Sequence, residues 1–456
     1  MTIMKLESIR TTALAAAAAG AMLVATAASA QDYNITVWAG GSNDADIYRV
    51  EAIEMAADIL EREMAILGEE VNIEVDGRID FGSWDEFKQA VTLGVESGTG
   101  PNIVVTSHGD IAPWSSAGII RPVEDYVDLD AWPLNDIYDN LIEISSFDGI
   151  VYGIPQDAES RPFFAWIPHM RAIGYSDEEI AALPARVQSG DYTLYDVLDD
   201  AEAMQEAGLV EPGYGFYPRV SNGPDYWQFY QSFGGEMHDS ETGQLVLDTE
   251  AMTRFYQFFA DAVDRGVTRR NHIGTPWDQW YAEVASGQAG LWHGGTWHYA
   301  RYTGNEGLDD FFGNVQFSLI PSGGDGGGSN TITHPLVYLV TSQDDEDTAF
   351  IAAELIKIAS EPRINTLHAI LSAHLGISES QSQVDLYSGD RWAREATDRL
   401  LPYATAMPNH VGFGDYWNLM WAGLESVWAG QATPEEAVEG LQVAAQNALG
   451  DDIVIR

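Results

Sequence analysis

Apolar residues in the first part of the chain follow a pattern that predicts strands separated by helices. The segments 34–38, 71–75 and 102–106 have the alternating or continuous apolar character of strands. Apolar residues recur at helical spacing over 47–67, and a second helix is predicted over 84–95. This order of elements predicts an α/β lobe with a largely parallel sheet.

The pattern changes in the middle of the chain and returns later. From about 155 to 285 the sequence is helical and aromatic, and strand patterns come back at 314–320 and 336–341, before a helix over 348–359. The pattern of the first lobe thus returns after an excursion, and the length of the chain predicts two or more lobes. In the helical last hundred residues, Thr433-Pro434-Glu435-Glu436 predicts a capped helix start.

The N-terminal residues 1–30 have the pattern of a signal peptide. Lys5 and Arg10 precede an apolar run at 13–28, which ends in the small residues Ala28-Ser29-Ala30. This run is too short for a membrane anchor, and no later segment is suited to span a membrane. No cysteine follows the signal, so we expect a periplasmic protein without a lipid anchor.

Composition excludes several classes of function. The 456 residues include 70 acidic and 22 basic ones, and the formal net charge of −48 argues against a nucleic-acid partner, whose phosphates require Lys and Arg. The chain has no cysteine, which excludes disulfides, thiolate metal sites, iron–sulfur clusters and cysteine nucleophiles.

Motifs for catalysis and cofactor binding are missing from the sequence. It contains no GxSxG, HExxH or GxxxxGK[ST] pattern, and the glycine-rich stretch 323–328 has no lysine. His293 and His298 are five residues apart, a spacing that does not place both on one helix face. We therefore predict no catalytic residue, no cofactor and no metal site.

Aromatic residues indicate the class of ligand. The chain has 14 Trp and 20 Tyr, several of them in polar loops. A sugar offers C–H faces to aromatic rings and hydroxyls to Asp, Asn, Arg and His. The same residue types also suit a cage for a betaine or a polyamine, and paired carboxylates suit an exported glycoside-processing enzyme. All three possibilities remain open from the residues alone.

Several motifs follow one another in a familiar order through nearly the whole mature chain. They are ITVW, SWDEFKQAVTLGVESGTGPNIVV leading to WSSAGIIRPVEDYV, FDGIVYGIP, VASGQAGLWHGGTW and ATPEEAVEGLQ. In this the sequence resembles the family 1 extracellular solute-binding proteins of ABC importers, which include carbohydrate-binding proteins. The resemblance implies a non-enzymatic monomer that binds a sugar in a cleft between two hinged α/β lobes and delivers it to a membrane permease. Each lobe is expected to be discontinuous in the chain and to contain a mixed, largely parallel sheet flanked by helices. The first lobe would be made of 31–150 and 298–360, and the second of 151–297 and 361–456.

The resemblance also implies a set of ligand-binding residues. The first lobe contributes two pairs, and the remaining positions lie at the lobe crossing, in the second lobe, at the return to the first lobe and near the C-terminus. These residues are Ser42, Asn43, His108, Asp110, Asp157, Arg161, Asp225, Tyr226, Trp297 and Trp417. The loop VVTSHGD lacks the tryptophan that maltose binders carry, so we expect a mono- or disaccharide, a glycoside or a polyol rather than a long oligosaccharide.

Overall fold

The computed structural model describes residues 30–41, 44–343 and 345–456. The predicted signal peptide, apart from Ala30, therefore lies outside the described residues, as do Ser42 and Asn43. In the described ranges the strands are β1 (Gln31–Ala39), β2 (Val71–Arg78), β3 (Ile103–Ser107), β4 (Ile120–Arg121), β5 (Ser146–Phe147), β6 (Ile150–Val151), β7 (Gly153–Pro155), β8 (Phe163–Trp166), β9 (Leu245–Leu247), β10 (Leu291–His293), β11 (Val315–Ser318), β12 (Thr331–Thr333), β13 (Leu336–Thr341), β14 (Ala404–Ala406) and β15 (Ile453–Ile455).

Helices cover most of the remaining described chain. They are α1 (Tyr48–Leu67), α2 (Trp84–Ser97), α3 (Ile111–Ser116), α4 (Asp139–Ile144), α5 (Ile167–Ala172), α6 (Asp177–Ser189), α7 (Leu194–Glu206), α8 (Asp225–Ser232), α9 (Thr249–Asp264), α10 (Trp277–Ala285), α11 (His298–Ala300), α12 (Phe311–Asn314), α13 (Glu346–Ala359), α14 (Pro362–Ser372), α15 (Asp385–Gly389), α16 (Arg391–Leu400), α17 (Phe413–Trp428) and α18 (Pro434–Leu449). In the part of the chain that the structure describes, every helix is too short or too polar to cross a membrane.

A six-stranded mixed sheet forms the core of the first lobe. Its order is β2-β1-β3-β13-β4, and β7 also pairs with β13. Strand β1 runs parallel to β2 and β3, whereas β13 runs antiparallel to its neighbours. Every residue of β3 and β13 is buried, which explains why both strands are continuous apolar runs in the sequence. The predicted α/β class is confirmed, as are the predicted strands that correspond to β1, β2, β3 and β13, whereas β4 and β7 were not predicted.

The second sheet has three strands in the order β10-β8-β11, all antiparallel, so it departs from a largely parallel arrangement. Strand β11 lies within 298–360, the stretch that the sequence assigned to the first lobe, yet it pairs with β8 through Val315 and Trp166. The return to the first sheet is made by β13 instead. The pattern of apolar residues in a strand depends on which side chains are buried and not on which strand is its neighbour. The sequence pattern therefore could not show to which sheet β11 belongs.

Helix ends agree with the predicted start signals. The hydroxyl of Thr433 accepts a hydrogen bond from the Glu436 backbone N–H at 3.2 Å, and the Glu436 carboxylate accepts one from the Thr433 N–H at 2.9 Å. Pro434 occupies the first helical turn, where its missing N–H has no cost. The predicted capping box is confirmed.

A short polar stretch joins the two sheets. Residues 156–161, which we call the crossing segment, connect β7 of the first sheet to β8 of the second. Gln156 and Asp157 are fully buried, as is Ser160, and Glu159 and Arg161 are only 5% and 4% exposed. Buried polar side chains are costly unless they are paired, so this segment requires hydrogen-bond or charge partners.

Close packing next to the second sheet predicts a large effect for one glycine. A Cβ added to the buried Gly215 would lie 2.5 Å from the carbonyl oxygen of Ala201, so Gly215→Ala forces a backbone shift. We expect the free energy of unfolding to fall by about 1–3 kcal/mol, measured by urea denaturation.

The matched control is Gly440→Ala on the exposed face of α18, where the new Cβ meets no described atom within 4 Å. This variant should gain about 0.5–1 kcal/mol, because alanine has less backbone freedom to lose. Equal effects of the two substitutions would contradict this account of the packing.

Candidate functional site

Arg161 lies at the centre of a buried polar cluster. Its guanidinium donates a short hydrogen bond to the Glu159 carboxylate, and its Nε lies 3.4 Å from Oδ1 of Asp225. Its Cζ is 4.9 Å from the centre of the half-buried Trp297 ring. The backbone of Arg161 is held by Thr331 of β12, whose hydroxyl accepts from the Arg161 N–H at 2.9 Å.

Asp225 is a fully buried carboxylate between two arginines. It is the first residue of α8, where the helix dipole favours a negative charge. Arg219 approaches its Oδ2 at 3.3 Å, opposite the contact from Arg161 to Oδ1. Burial alone would raise the pKa of Asp225, but the charges of Arg219 and Arg161 outweigh it and hold the pKa below its usual value.

Arg219 adds a second guanidinium and a second indole. Its Cζ lies 4.7 Å from the centre of the Trp277 ring and 5.8 Å from that of Trp297. Its backbone N–H donates to Nε2 of His293 in β10 at 3.2 Å. We call Glu159, Arg161, Arg219, Asp225, Trp277 and Trp297 the arginine cluster.

Glu159 titrates close to neutrality. Burial raises the pKa of Glu159 to about 7, although Arg161 acts in the opposite direction, and the nearby charge of Asp157 adds to the rise. The arginine cluster therefore contains one ionised carboxylate and one that holds a proton at mildly acidic pH.

Several buried polar atoms in and around the arginine cluster make no hydrogen bond to any described residue. They are Nε of Arg161 and of Arg219, both carboxylate oxygens of Asp225, both amide atoms of Gln228, and the hydroxyls of Ser160, Thr296 and Thr333. The two Nε atoms and the two carboxylate oxygens have only the ion-pair contacts of 3.4 and 3.3 Å with each other, and each of the remaining atoms costs about 1–3 kcal/mol if it stays unpaired. A concentration of donors and acceptors of this kind is typical of a site for a polar ligand.

A second group of side chains adjoins the arginine cluster through the 219–222 loop. Trp417 donates from Nε1 to Oδ1 of Asn222 at 2.6 Å, and its ring centre lies 5.8 Å from that of His334. His334 packs edge-on against His108 with ring centres 4.6 Å apart. Desolvation lowers the pKa of both histidines, and the charge of Arg161 lowers it further. Both rings are therefore neutral at pH 7.

The predicted ligand-binding residues fall into separate contact groups in the structure. Arg161, Asp225 and Trp297 form one contact group, whereas Asp157, in the same crossing segment, accepts from the Leu336 N–H at 3.1 Å and faces His368 and His374. His108 and Trp417 meet through His334.

Two predicted residues have their polar groups engaged elsewhere. Asp110 accepts from the Thr106 hydroxyl at 2.6 Å and pairs with Lys88 at 2.6 Å. The fully buried ring of Tyr226 packs against Trp421 with ring centres 4.9 Å apart, and its hydroxyl donates to the Arg219 carbonyl. Tyr226 therefore supports the Arg219 loop from within the core.

Sequence reasoning did not select Glu159, Arg219, Trp277 or His334. Arg219 had a signal in the sequence. The chain has only 22 basic residues among 456, so an arginine inside an aromatic segment such as FYPRV is uncommon. Glu159 had no such signal, because it is one of 70 acidic residues and nothing in the sequence distinguishes a buried one from the exposed ones.

A match to a family model decides the affiliation of the chain. The model described as "Bacterial extracellular solute-binding protein" matches residues 56–363. The chain belongs to this family. The match includes the crossing segment and every member of the arginine cluster, so the candidate site of this solute-binding protein lies within the part that matches the family model.

Solved structures share the fold of this solute-binding protein. The GacH receptor of Streptomyces glaucescens, described unliganded and with acarbose, is 16% identical, with a TM-score of 0.72 over 92% of this chain and 99% of that chain. Maltose-bound MalE3 of T. maritima is also 16% identical, with a TM-score of 0.73 over 91% and 99%. The sugar-binding protein MalE of Xanthomonas citri is 15% identical, with a TM-score of 0.70 over 91% and 98%. At these identities the likeness establishes the fold.

The arginine cluster predicts a strong dependence of stability on Asp225. Asp225→Asn leaves two buried guanidinium groups without their shared carboxylate, and we expect a loss of about 3–5 kcal/mol in the free energy of unfolding, measured with urea. The control is Asp278→Asn, because Asp278 pairs with Arg301 at 2.8 Å while its side chain is 90% exposed. That variant should lose less than about 1 kcal/mol, and similar losses in both would contradict the burial argument.

Glu159 predicts a characteristic pH dependence. Because its pKa is higher in the folded chain than in the unfolded one, its contribution to stability is complete below about pH 4.5 and is lost as the pH rises through 7. The stability of the wild type relative to Glu159→Gln should fall by up to about 1.4 kcal/mol per pH unit over this interval.

Urea denaturation at several pH values between 5 and 8 measures this difference. The exposed Glu206, at the end of α7, provides the control variant Glu206→Gln. If the wild-type and Glu159→Gln stabilities ran parallel over the whole pH range, Glu159 would not hold the proton that we assign to it.

Proposed function

We propose that this solute-binding protein is the periplasmic carbohydrate-binding component of an ABC importer, which delivers a mono- or disaccharide, a glycoside or a polyol to a membrane permease. The observation that carries the proposal is the arginine cluster, with its buried charged groups and indole rings, next to the segment that joins the two sheets. The solved structures that share the fold and whose descriptions name maltose or acarbose support a sugar as the ligand class.

Sugar hydroxyls match the chemistry of the unpaired atoms. A hydroxyl both donates and accepts, so it can donate to Asp225 while it accepts from Arg161 or Arg219. Hydrogen bonds to charged groups are stronger than those between neutral groups, which favours a tight and oriented complex. The indole of Trp297 adds an apolar surface for the C–H side of a sugar ring.

A cationic ligand is less favourable at this site. A betaine or polyamine would require an aromatic face that attracts positive charge. The rings of Trp277 and Trp297 already meet the guanidinium groups of Arg219 and Arg161. A third positive charge would be repelled by both, so the betaine or polyamine alternative loses its electrostatic basis.

Ligand-dependent closure is the second part of the proposal. The chain passes between the sheets at the crossing segment and again between β11 and β13. Starting from the boundaries 31–150 and 298–360, the sheet pairings support moving 315–318 to the second lobe. The packing of α14 against α1 supports moving 362–372 to the first. A ligand that contacts both lobes stabilises the closed arrangement, which a permease can recognise.

Isothermal titration of the mature chain against sugars, glycosides, polyols, betaines and polyamines tests the proposed function. We expect one carbohydrate-class ligand to bind with a stoichiometry of one. Binding of a betaine or polyamine alone would overturn the ligand class. Turnover of chromogenic glycosides would favour the glycoside-processing alternative instead.

Trp297 predicts the effect of losing an aromatic contact. Trp297→Ala should weaken binding of the ligand found by titration by about 1–3 kcal/mol, as expected for an aromatic group in a desolvated site. The control Trp132→Ala removes a ring that is 56% exposed and outside the arginine cluster, and it should leave the affinity unchanged. A Trp297→Ala chain that binds as tightly as the wild type would exclude Trp297 from the ligand site.

Closure predicts a change in shape. Saturating ligand should reduce the radius of gyration in small-angle scattering and raise the melting temperature, because the ligand binds the folded chain. The same measurement with a sugar that fails to bind in calorimetry is the control. Tight binding without any change in the scattering curve would contradict closure and leave sugar binding intact.

A further inference from the structure

Three side chains of residue types that can bind a metal ion meet at the crossing segment. They are Asp157, His368 near the end of α14, and His374 in the turn that follows. All three are buried, and one ligand atom from each lies within 4.8 Å of the others. Nε2 of His368 and Nε2 of His374 are each 3.6 Å from Oδ2 of Asp157. We call these three residues the histidine–aspartate cluster.

Backbone hydrogen bonds hold the crossing segment in register with the turn that follows α14. The N–H of Leu375 donates to the Ala158 carbonyl at 2.7 Å, and the N–H of Ala158 donates to the Leu375 carbonyl at 3.0 Å. The Asn365 amide in α14 donates to the Gln156 carbonyl at 2.7 Å. The positions of the three ligating side chains are thus set by main-chain contacts on either side of them.

Ser372 determines which nitrogen of His374 carries the proton. The Ser372 hydroxyl donates its single proton to the His368 carbonyl at 2.6 Å, so it accepts from Nδ1–H of His374 at 2.8 Å. In a neutral ring this leaves a lone pair on Nε2, the atom that faces the carboxylate of Asp157. Nε2 of His368 lies 3.3 Å from the same hydroxyl and 3.6 Å from Oδ2 of Asp157, both acceptors, so it carries the proton of the metal-free ring, and a bound metal ion would replace that proton.

The second carboxylate oxygen of Asp157 has no hydrogen-bond partner in the described chain, whereas Oδ1 accepts from the Leu336 N–H. Two electron-rich atoms, Oδ2 of Asp157 and Nε2 of His374, therefore face each other away from water. The positive charge of the nearby Arg49 does not balance these two atoms alone, because its guanidinium pairs with the carboxylate of Asp46 at an N–O distance of 2.9 Å. A cation between the two atoms would remove their repulsion.

Protonation of the histidines is unfavourable here. Burial lowers the pKa of His368, and it lowers the pKa of His374 to about 3, although the Asp157 carboxylate acts in the opposite direction on both. The three side chains offer two imidazole nitrogens and one carboxylate oxygen, a donor set that zinc binds readily.

We propose that Asp157, His368 and His374 form a binding site for a divalent transition-metal ion of the Zn²⁺ type. Zinc bonds of about 2.0–2.2 Å place tetrahedral ligand atoms about 3.4 Å apart, close to the two N–O distances of 3.6 Å. A water molecule would complete the coordination. The sequence showed no such site, because Asp157 precedes the two histidines by more than 200 residues and the three follow no motif.

The metal ion would join α14 to the crossing segment and fix the ring of His374. That ring lies parallel to the indole of Trp297, with the centres 5.8 Å apart and the planes at 11°. Metal binding would therefore hold one side of the arginine cluster in place, which is a structural role separate from contact with the proposed sugar.

Calorimetric titration of Zn²⁺ into the mature protein, after dialysis against EDTA, tests the site. We expect one equivalent to bind and to raise the melting temperature. His374→Gln should abolish this binding. Ser372→Ala should weaken it by about 10–100-fold, because loss of an outer hydrogen bond to a metal-bound histidine has an effect of that size. The control is His238→Gln, which removes an exposed histidine and should leave binding unchanged.

Several outcomes would overturn the site. They are a wild-type chain that binds no Zn²⁺, and a folded His374→Gln or Asp157→Asn chain that binds it as the wild type does. If one of these two variants does not fold, the other makes the same comparison. The wild type provides an independent measurement, because Co²⁺ in the site should give the visible absorption of a tetrahedral nitrogen and oxygen environment. An octahedral spectrum that is unchanged from aqueous Co²⁺ would also overturn the proposal.

Discussion

The buried charge of Arg161 is the interaction on which the rest of the site depends. Removing a guanidinium from water costs several kcal/mol, which only close partners can offset. Those partners come from separate parts of the chain: Glu159 from the crossing segment, Asp225 from the start of α8, and Trp297 from the turn after β10. The ion pair with Asp225 and the contact with the Trp297 ring therefore hold the crossing segment, α8 and the turn after β10 together. The ion pair with Glu159 lies within the crossing segment and allows this polar segment to be buried.

The same charge also determines the protonation of its surroundings. Positive potential from Arg161 adds to burial in lowering the pKa of His108, His293 and His334. His293, with a pKa of about 3, and His334, with a pKa well below its usual value, therefore stay neutral across the range where an unperturbed histidine would titrate. The donors and acceptors of these two rings thus keep fixed identities between pH 6 and pH 8, whereas Glu159 changes its protonation in this interval.

Local pattern predicted much of the fold and less of the site. The strand at 336–341 and the capping box at Thr433 were predictable because each depends on neighbouring residues. The partner of β11 was not, since strand pairing depends on residues about 150 positions away. Asp225 and Arg161, which were selected from family motifs, are in contact in the candidate site, whereas burial of Glu159 results from the packing of both lobes. Tyr226 shows the limit, because an aromatic residue beside a site residue can equally face the core.

The position of β13 has a consequence for the order in which the chain is made. This strand lies between β3 and β4 in the first sheet, yet it follows them by more than 200 residues. Until β13 emerges from the ribosome, β3 has no neighbouring strand on one side. It then exposes a row of unpaired N–H and C=O groups, which favours association with other chains. The N-terminal lobe is thus completed late in synthesis, and a nascent chain that ends before Leu336 depends on protection from aggregation.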